Sequence, residues 1–250
     1  MKVRLCGFWI ENVSMREAVE EVLRLQRSDS PAHVGFLNAH YVNVAACDDA
    51  YDDALRRASV LFADGSGMRL AGRLRGVRLE DNVNGTDMFP LLAKAMAREG
   101  RSIFLLGGRP GIADGVRQWL STHAPSLDVR GASHGYRTED EWQEVVSEVR
   151  EARPDLLMVA MGAPFQDVWI RRHLEKLGVP VVMSVGGLFD FYSGRIPRAP
   201  RAIRAAGLEW AFRLAQEPAR LWRRYLLGNA VFVARAVVNT FNPVPTEVGR

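Results

Sequence analysis

Short apolar runs alternate along most of this chain with stretches whose apolar residues recur at helical spacing. The runs HVGFL (33–37), SVLFA (59–63), SIFLLG (102–107), LDVRGAS (127–133), PDLLMVA (154–160) and VPVVMS (179–184) predict strands. Between them lie segments that read as helices. One begins at a capping box made by Ser14 and Glu17 and carries Met15, Val19, Val22, Leu23 and Leu25 on its apolar face. A second begins near Ala39, and NGTDMFPLLAKAMAREG (84–100) reads as turn, helix and terminal glycine. After the turn at Gly107–Gly108 another helix is expected, with Pro110 in its first turn. Thr138 and Glu141 make a second capping box, and PFQDVWIRRHLEKLG (164–178) predicts a further helix.

Strands alternating with helical crossovers predict an α/β fold: a Rossmann-like, mostly parallel sheet with helices on both faces. Such sheets take ligands beyond the carboxyl ends of their strands. Asp64, Gly107–Gly108, Gly162 and Gly186–Gly187 all fall at predicted strand ends, so the fold would bring them to one edge. At 48% apolar and 25% charged residues, the chain has ample material for a core. Cys6 and Cys47 show no metal-ligand or redox spacing, and MKVRLCGFWI lacks the long apolar stretch of a signal peptide, which points to reducing cytoplasm.

The pattern changes after about residue 195. From Arg195 onward there are ten arginines, no lysine and three glutamates, a net +7 that leaves −3 for the first 194 residues of a chain whose total is +4. The expected organisation is a core over 1–194 and a basic helical C-terminal appendage over 195–250, rich in aromatic residues. YLLGNAVFVARAVV (225–238) is apolar but short of the roughly 20 residues a membrane span needs. Aromatic and aliphatic residues mixed with arginines suit a helix lying in a membrane interface; an amphipathic helix docked on the core is the alternative.

The chemistry centres on LFADGSGM (61–68). Asp64 follows a buried-strand pattern and precedes a helical segment, so it is either a helix cap or a working acid or base. In LLGGRPG (105–111), Gly107 and Gly108 join strand to helix and can bring backbone N–H groups to a phosphate, although tight turns need glycine for steric reasons as well. Gln166 stands near a helix start, where it could contact a sugar or remain a surface side chain. Asn84, Thr86 and Asp87 have sufficient explanation as capping and helix-dipole residues. Arg195 and Arg198, beside Asp190 in an irregular segment, could bind a diphosphate. No HExxH, His-x-His or D-x-D pattern occurs, and no G-x-S-x-G, so neither a metal site, a cofactor nor a serine hydrolase is indicated. A nucleotide-dependent oxidoreductase and a noncatalytic membrane or nucleic-acid adaptor remain alternatives.

Eight collinear stretches, FLNAHYVNVA, ADGSGM, NGTDMF, FLLGGRPG, HGY, PDLLMVAMGAPFQDVWI, VGGLFDFYSGRIPRAP and GLEWAFRLAQEPARLWRRY, together resemble the TagA/WecG/CpsF family of bacterial glycosyltransferases, over about residues 33–225. The resemblance implies an inverting transfer of a hexosyl unit from a UDP-sugar to a sugar on a polyprenyl-diphosphate carrier, in cell-surface polysaccharide or teichoic-acid-type synthesis. It implies no metal or cofactor, no nucleic acid, and work at the inner face of the cell membrane, with the appendage on an anionic membrane surface. The family's catalytic base falls on Asp64, its substrate-contacting asparagine on Asn38 and its glutamine on Gln166. Phe36-Leu37-Asn38 departs from the family's common Thr-Pro-Asn, and GSGM from its commoner GIGVV; both bear on sugar identity rather than reaction class.

Overall fold

The computed structural model describes residues 1–241, so the last nine positions of the expected appendage lie outside the described residues. Eight strands form one sheet: β1 (Lys2–Leu5), β2 (Phe8–Glu11), β3 (Ala32–Leu37), β4 (Val60–Ala63), β5 (Ser102–Gly107), β6 (Asp128–Ser133), β7 (Leu156–Ala160) and β8 (Val181–Ser184), in the order β1-β2-β4-β3-β8-β7-β5-β6. Only the β1–β2 pair is antiparallel, closed by a turn in which Cys6 and Gly7 both take positive φ. The other pairings are parallel. The six predicted strands are all present. The edge hairpin adds two more, whose inward positions Leu5, Phe8 and Ile10 are buried.

Both faces of the sheet are covered, so the central strands are buried at every position rather than at every second one, and are mostly apolar. Val34, Phe36, Phe62, Leu105, Met158 and Met183 point to the face packed by helices Met15–Leu25, Gly85–Arg98 and Ile112–His123. Leu37, Leu61, Phe104, Leu157 and Val182 point to the opposite face, under helices that include Glu141–Ala152 and Phe165–Leu177. The Ser14–Glu17 capping box forms as expected. At the other predicted box, Glu141 reaches back to the backbone and hydroxyl of Thr138, but the helix starts only at Glu141. Pro110 likewise precedes its helix, which begins at Ile112.

Beyond β8 the chain runs through helices Leu188–Tyr192, Arg201–Ala205, Glu209–Gln216 and Pro218–Trp222, and a π-helical turn Arg223–Leu227, into helix Gly228–Phe241. This last helix docks on the core. Phe232 and Ala236 are buried in the cluster that includes Leu37, Leu61, Ala63 and Met68. Gly67 has no side chain where the contact is tightest: a Cβ there would stand 2.9 Å from Ala39 Cβ and 3.4 Å from the Phe232 ring. Asn43 Nδ2 donates to Gly228 O at 2.6 Å. Trp222, Leu226, Leu227, Val231 and Val238 remain exposed on the same stretch. Among the described residues no helix is long and apolar enough to cross a membrane. A second anchor holds the segment leaving the sheet: Asp87 Oδ1 accepts from Arg198 and Arg204, each at 2.8 Å.

Candidate active site

The strand ends converge as the alternating pattern predicts. A cavity of about 820 Å³ opens at the carboxyl edge of the sheet, walled by residues that follow β3 (Asn38), β4 (Asp64), β5 (Gly108), β6 (Gly135), β7 (Gly162) and β8 (Gly186, Gly187). The C-terminal segment covers its other side with Trp210, Tyr225 and several arginines.

Asp64 occupies the N-cap position of helix Gly65–Leu74, yet its carboxylate makes no capping hydrogen bond. The next amide, Gly65 N, donates to Asn82 Oδ1 at 2.6 Å. The carboxylate accepts instead from Asn38 Nδ2 at 3.3 Å. Asn38 is itself fixed, because its Oδ1 caps the next helix by accepting from Tyr41 N at 3.1 Å. One asparagine thus orients its amide with one end and the acid with the other. Burial pushes the Asp64 carboxyl up to about 6, and the Asn38 bond opposes the rise. His40, also on the wall, moves the other way: burial, assisted by the charge of Arg224, lowers it to about 4. Near neutrality Asp64 is ready to accept a proton and His40 is already uncharged.

The opposite wall is cationic. Arg195, Arg204, Arg213, Arg220 and Arg224 line the cavity, and only some are neutralised. Arg195 pairs with Asp190 at 2.8 Å, Arg204 with Asp87, and Arg220 with Glu217. Arg213 and Arg224 lie instead over the rings of Phe191 and Tyr225, at 5.0 and 5.4 Å, and among the described residues neither pairs with a carboxylate. Guanidinium groups held on aromatic faces keep their N–H donors for an incoming anion.

The residues singled out from sequence take three positions. Asn38, Asp64, Gly108 and Arg195 line the cavity together. Gly107 lies behind it: at φ 140° its backbone presses on β7, and a Cβ would fall 2.4 Å from Ala160 O, so this glycine closes the strand pair. Gln166 is fully buried, and its Oε1 accepts from Gly162 N at 3.1 Å and from Gly186 N at 3.0 Å. It braces two wall loops from behind and presents no surface to a ligand. Arg198 is off the wall, held by Asp87 and, at 3.7 Å, by Glu209. Gly107, Gln166 and Arg198, expected as substrate contacts, build and brace the walls in this structure. Sequence reasoning passed over Asn82, which holds the Gly65 amide, and over Arg213, Arg220 and Arg224. The basic run EPARLWRRY signals the arginines as charge, without showing which of them turn toward the strand ends.

A carboxylate held at a strand end and arginines on the facing wall are an arrangement that suits group transfer. The chain belongs to the glycosyl transferase WecG/TagA/CpsF family, whose profile matches residues 3–244. It is 31% identical over 195 residues to an N-acetylglucosaminyldiphosphoundecaprenol N-acetyl-beta-D-mannosaminyltransferase of Bacillus subtilis (strain 168), covering 78% of this chain and 75% of the relative. It is 33% identical to the Bacillus spizizenii protein of that name, over 70% and 67% of the two chains. The Staphylococcus aureus (strain MW2) counterpart is 28% identical over 89% and 87%.

Proposed function

We propose that this protein transfers a hexosyl unit from a UDP-sugar to a sugar carried on polyprenyl diphosphate, with inversion at the anomeric carbon and Asp64 as general base. The observation that carries the reading is the Asp64 carboxylate, which caps no helix and is held by Asn38 in a cavity faced by arginines. A sugar hydroxyl is a weak nucleophile, and a carboxylate that takes its proton during attack lowers the barrier. The leaving UDP gains negative charge, which Arg213, Arg224 and the backbone at Gly108 are placed to stabilise. The relatives' name specifies a β product, and a β linkage formed from an α-linked nucleotide sugar requires a single displacement, for which one base suffices.

Asn38, Gly108 and Arg195 serve as substrate contacts in this reading, while Gly107, Gln166 and Arg198 shape the walls around them. Tyr136 and Phe165, both on the cavity wall and largely exposed, offer ring faces to the uracil. Residues 195–250 act as an appendage to a core of 1–194. Its exposed Trp222, Leu226, Leu227 and Val238 rest in the interface of the inner leaflet, so that a carrier-bound acceptor reaches the site from the membrane.

The test offers the purified protein a panel of UDP-hexoses, UDP-N-acetylmannosamine first, with a detergent-solubilised polyprenyl-diphosphate N-acetylglucosamine. Acceptor mass and UDP release are followed together. A hexosyl mass gain matched by UDP supports the reading. UDP release without mass gain, or neither with any donor, contradicts it.

A further inference from the structure

Behind the cavity lies a buried polar chain that the proposed chemistry does not use. His33 on β3, Asp167 in the first turn of helix Phe165–Leu177, and Ser184 at the end of β8 are exposed by 2, 1 and 3%, respectively. Asp167 Oδ1 lies 3.3 Å from His33 Nε2. Ser184 Oγ lies 3.3 Å from the same nitrogen. In a nucleophilic relay the serine and the carboxylate sit on opposite ring nitrogens, so that a proton can pass through the imidazole. Here both meet Nε2, and no such passage exists.

The shared nitrogen fixes a direction. A carboxylate oxygen 3.3 Å from a bare ring nitrogen would set lone pair against lone pair, so the contact favours a proton on Nε2. Ser184 Oγ, meeting a protonated nitrogen, must then accept as well. Its own hydrogen has no partner among the described residues, and Ser184 is part of the cavity wall. Gly35 holds the arrangement tight, since a Cβ there would lie 3.3 Å from Ser184 Oγ. Immediately downstream, Gly186 and Gly187 form the wall loop that Gln166 braces, and the Cβ position of Gly187 is 3.7 Å from an Arg213 guanidinium nitrogen. A donor hydroxyl beside a glycine turn and an unpaired arginine suits an oxygen that carries no proton of its own, which at neutral pH describes a phosphoryl oxygen.

We propose that Ser184 donates its hydroxyl proton to a diphosphate oxygen in the cavity, and that His33 and Asp167 are positioning residues that set the direction of this bond. The ligand rests on the reaction proposed above; the direction rests on the three side chains alone. Three variants, Ser184→Ala, His33→Leu and the double substitution, separate this role from packing, with UDP titrated calorimetrically and the acceptor KM taken from the transfer assay. Ser184→Ala weakens UDP about tenfold, the size of one charge-assisted hydrogen bond. His33→Leu has a similar effect, and the double variant is no weaker than Ser184→Ala, because the histidine acts only through the serine. His33→Gln, which keeps an N–H donor, restores most of the affinity. A rise confined to the acceptor KM assigns the bond to the carrier's diphosphate instead of the nucleotide's. Unchanged UDP affinity together with unchanged acceptor KM in Ser184→Ala overturns the proposal, as do additive losses in the double variant. Nitrogen NMR of His33 stands apart from the reaction: protonated Nε2 upholds the direction even if no UDP binds, and bare Nε2 refutes it.

Discussion

The two walls of the cavity are built on different terms. On the core side Asn38 and Asp64 follow strands β3 and β4, Asn82 lies on the loop between two helices and Gln166 in the first turn of a helix, and each has a defined hydrogen-bond partner. On the appended side the arginines stand on short helices joined to the core through the Asp87 pairs and the buried face around Phe232. A proton acceptor must meet one hydroxyl at one distance, which favours rigid strand ends. Stabilising a spread-out phosphate charge tolerates looser geometry, and it gains from a segment that can reach both a nucleotide and a lipid-borne acceptor. In the proposed reaction the core would set the chemistry and the C-terminal segment the access.

Replacing the base tests the first half most severely. Asp64→Asn lowers the transfer rate about a hundredfold or more, the low end for losing a general base, while UDP affinity by calorimetry stays near wild type. A rate within threefold of wild type in the folded variant would move the base elsewhere. The cationic wall gives the next largest effect. Arg213→Gln or Arg224→Gln alone raises the donor KM by about ten- to a hundredfold, since a charged hydrogen bond is worth on the order of 1.5–3 kcal/mol. Unchanged donor KM in both would show that these guanidiniums are not at the phosphates. For the outer surface, Leu226→Gln, Leu227→Gln and Val238→Gln together weaken binding to anionic vesicles about tenfold in a sedimentation assay, each side chain losing about 0.5 kcal/mol of partial burial. UDP affinity is unaffected. A variant that still sediments fully would give those side chains another role.

The smallest effect is on stability, and its sign is opposite to that of an ordinary paired carboxylate. The folded protein holds the Asp64 proton up to about 6, whereas the free side chain releases it near 3.8. Between these values the folded state binds more protons than the unfolded one, so stability falls as pH rises and the cost persists above pH 6. Asp64→Asn therefore raises Tm at pH 8 and leaves it nearly unchanged at pH 3.5. Thermal scans at both values check this, and a lower Tm at pH 8 would mean that the carboxylate is structurally required.

Much of this molecule was legible in the sequence because much of it is locally determined. The β3 and β5 runs are mostly apolar and buried at every position, as strands covered on both faces are, and the Ser14–Glu17 cap is complete within four residues. The convergence of strand ends follows from parallel topology alone. What could not be read depends on contacts far apart in the chain. Asp64 caps no helix and is held instead by Asn38, 26 residues earlier at the end of another strand. Gln166 looks like a surface residue of a first helical turn, yet both of its partners lie on wall loops, one of them 20 residues away. Arg198 and Arg204 resemble any other loop arginines until Asp87, more than 100 residues earlier, selects them. The β1–β2 hairpin is different: Val3, Leu5, Phe8 and Ile10 alternate around Cys6-Gly7, a local signal outweighed by the longer runs that follow.

The division of labour between the walls is tested most directly by the pH dependence of kcat/KM for transfer, measured on wild type and Asp64→Asn. The wild-type value should fall tenfold per pH unit below about 6, where burial has placed the Asp64 carboxyl, and level off above it. That acid limb should be absent from the residual activity of the variant. A wild-type profile flat down to pH 4.5, or a limb that survives in Asp64→Asn, would contradict a base seated at the end of β4.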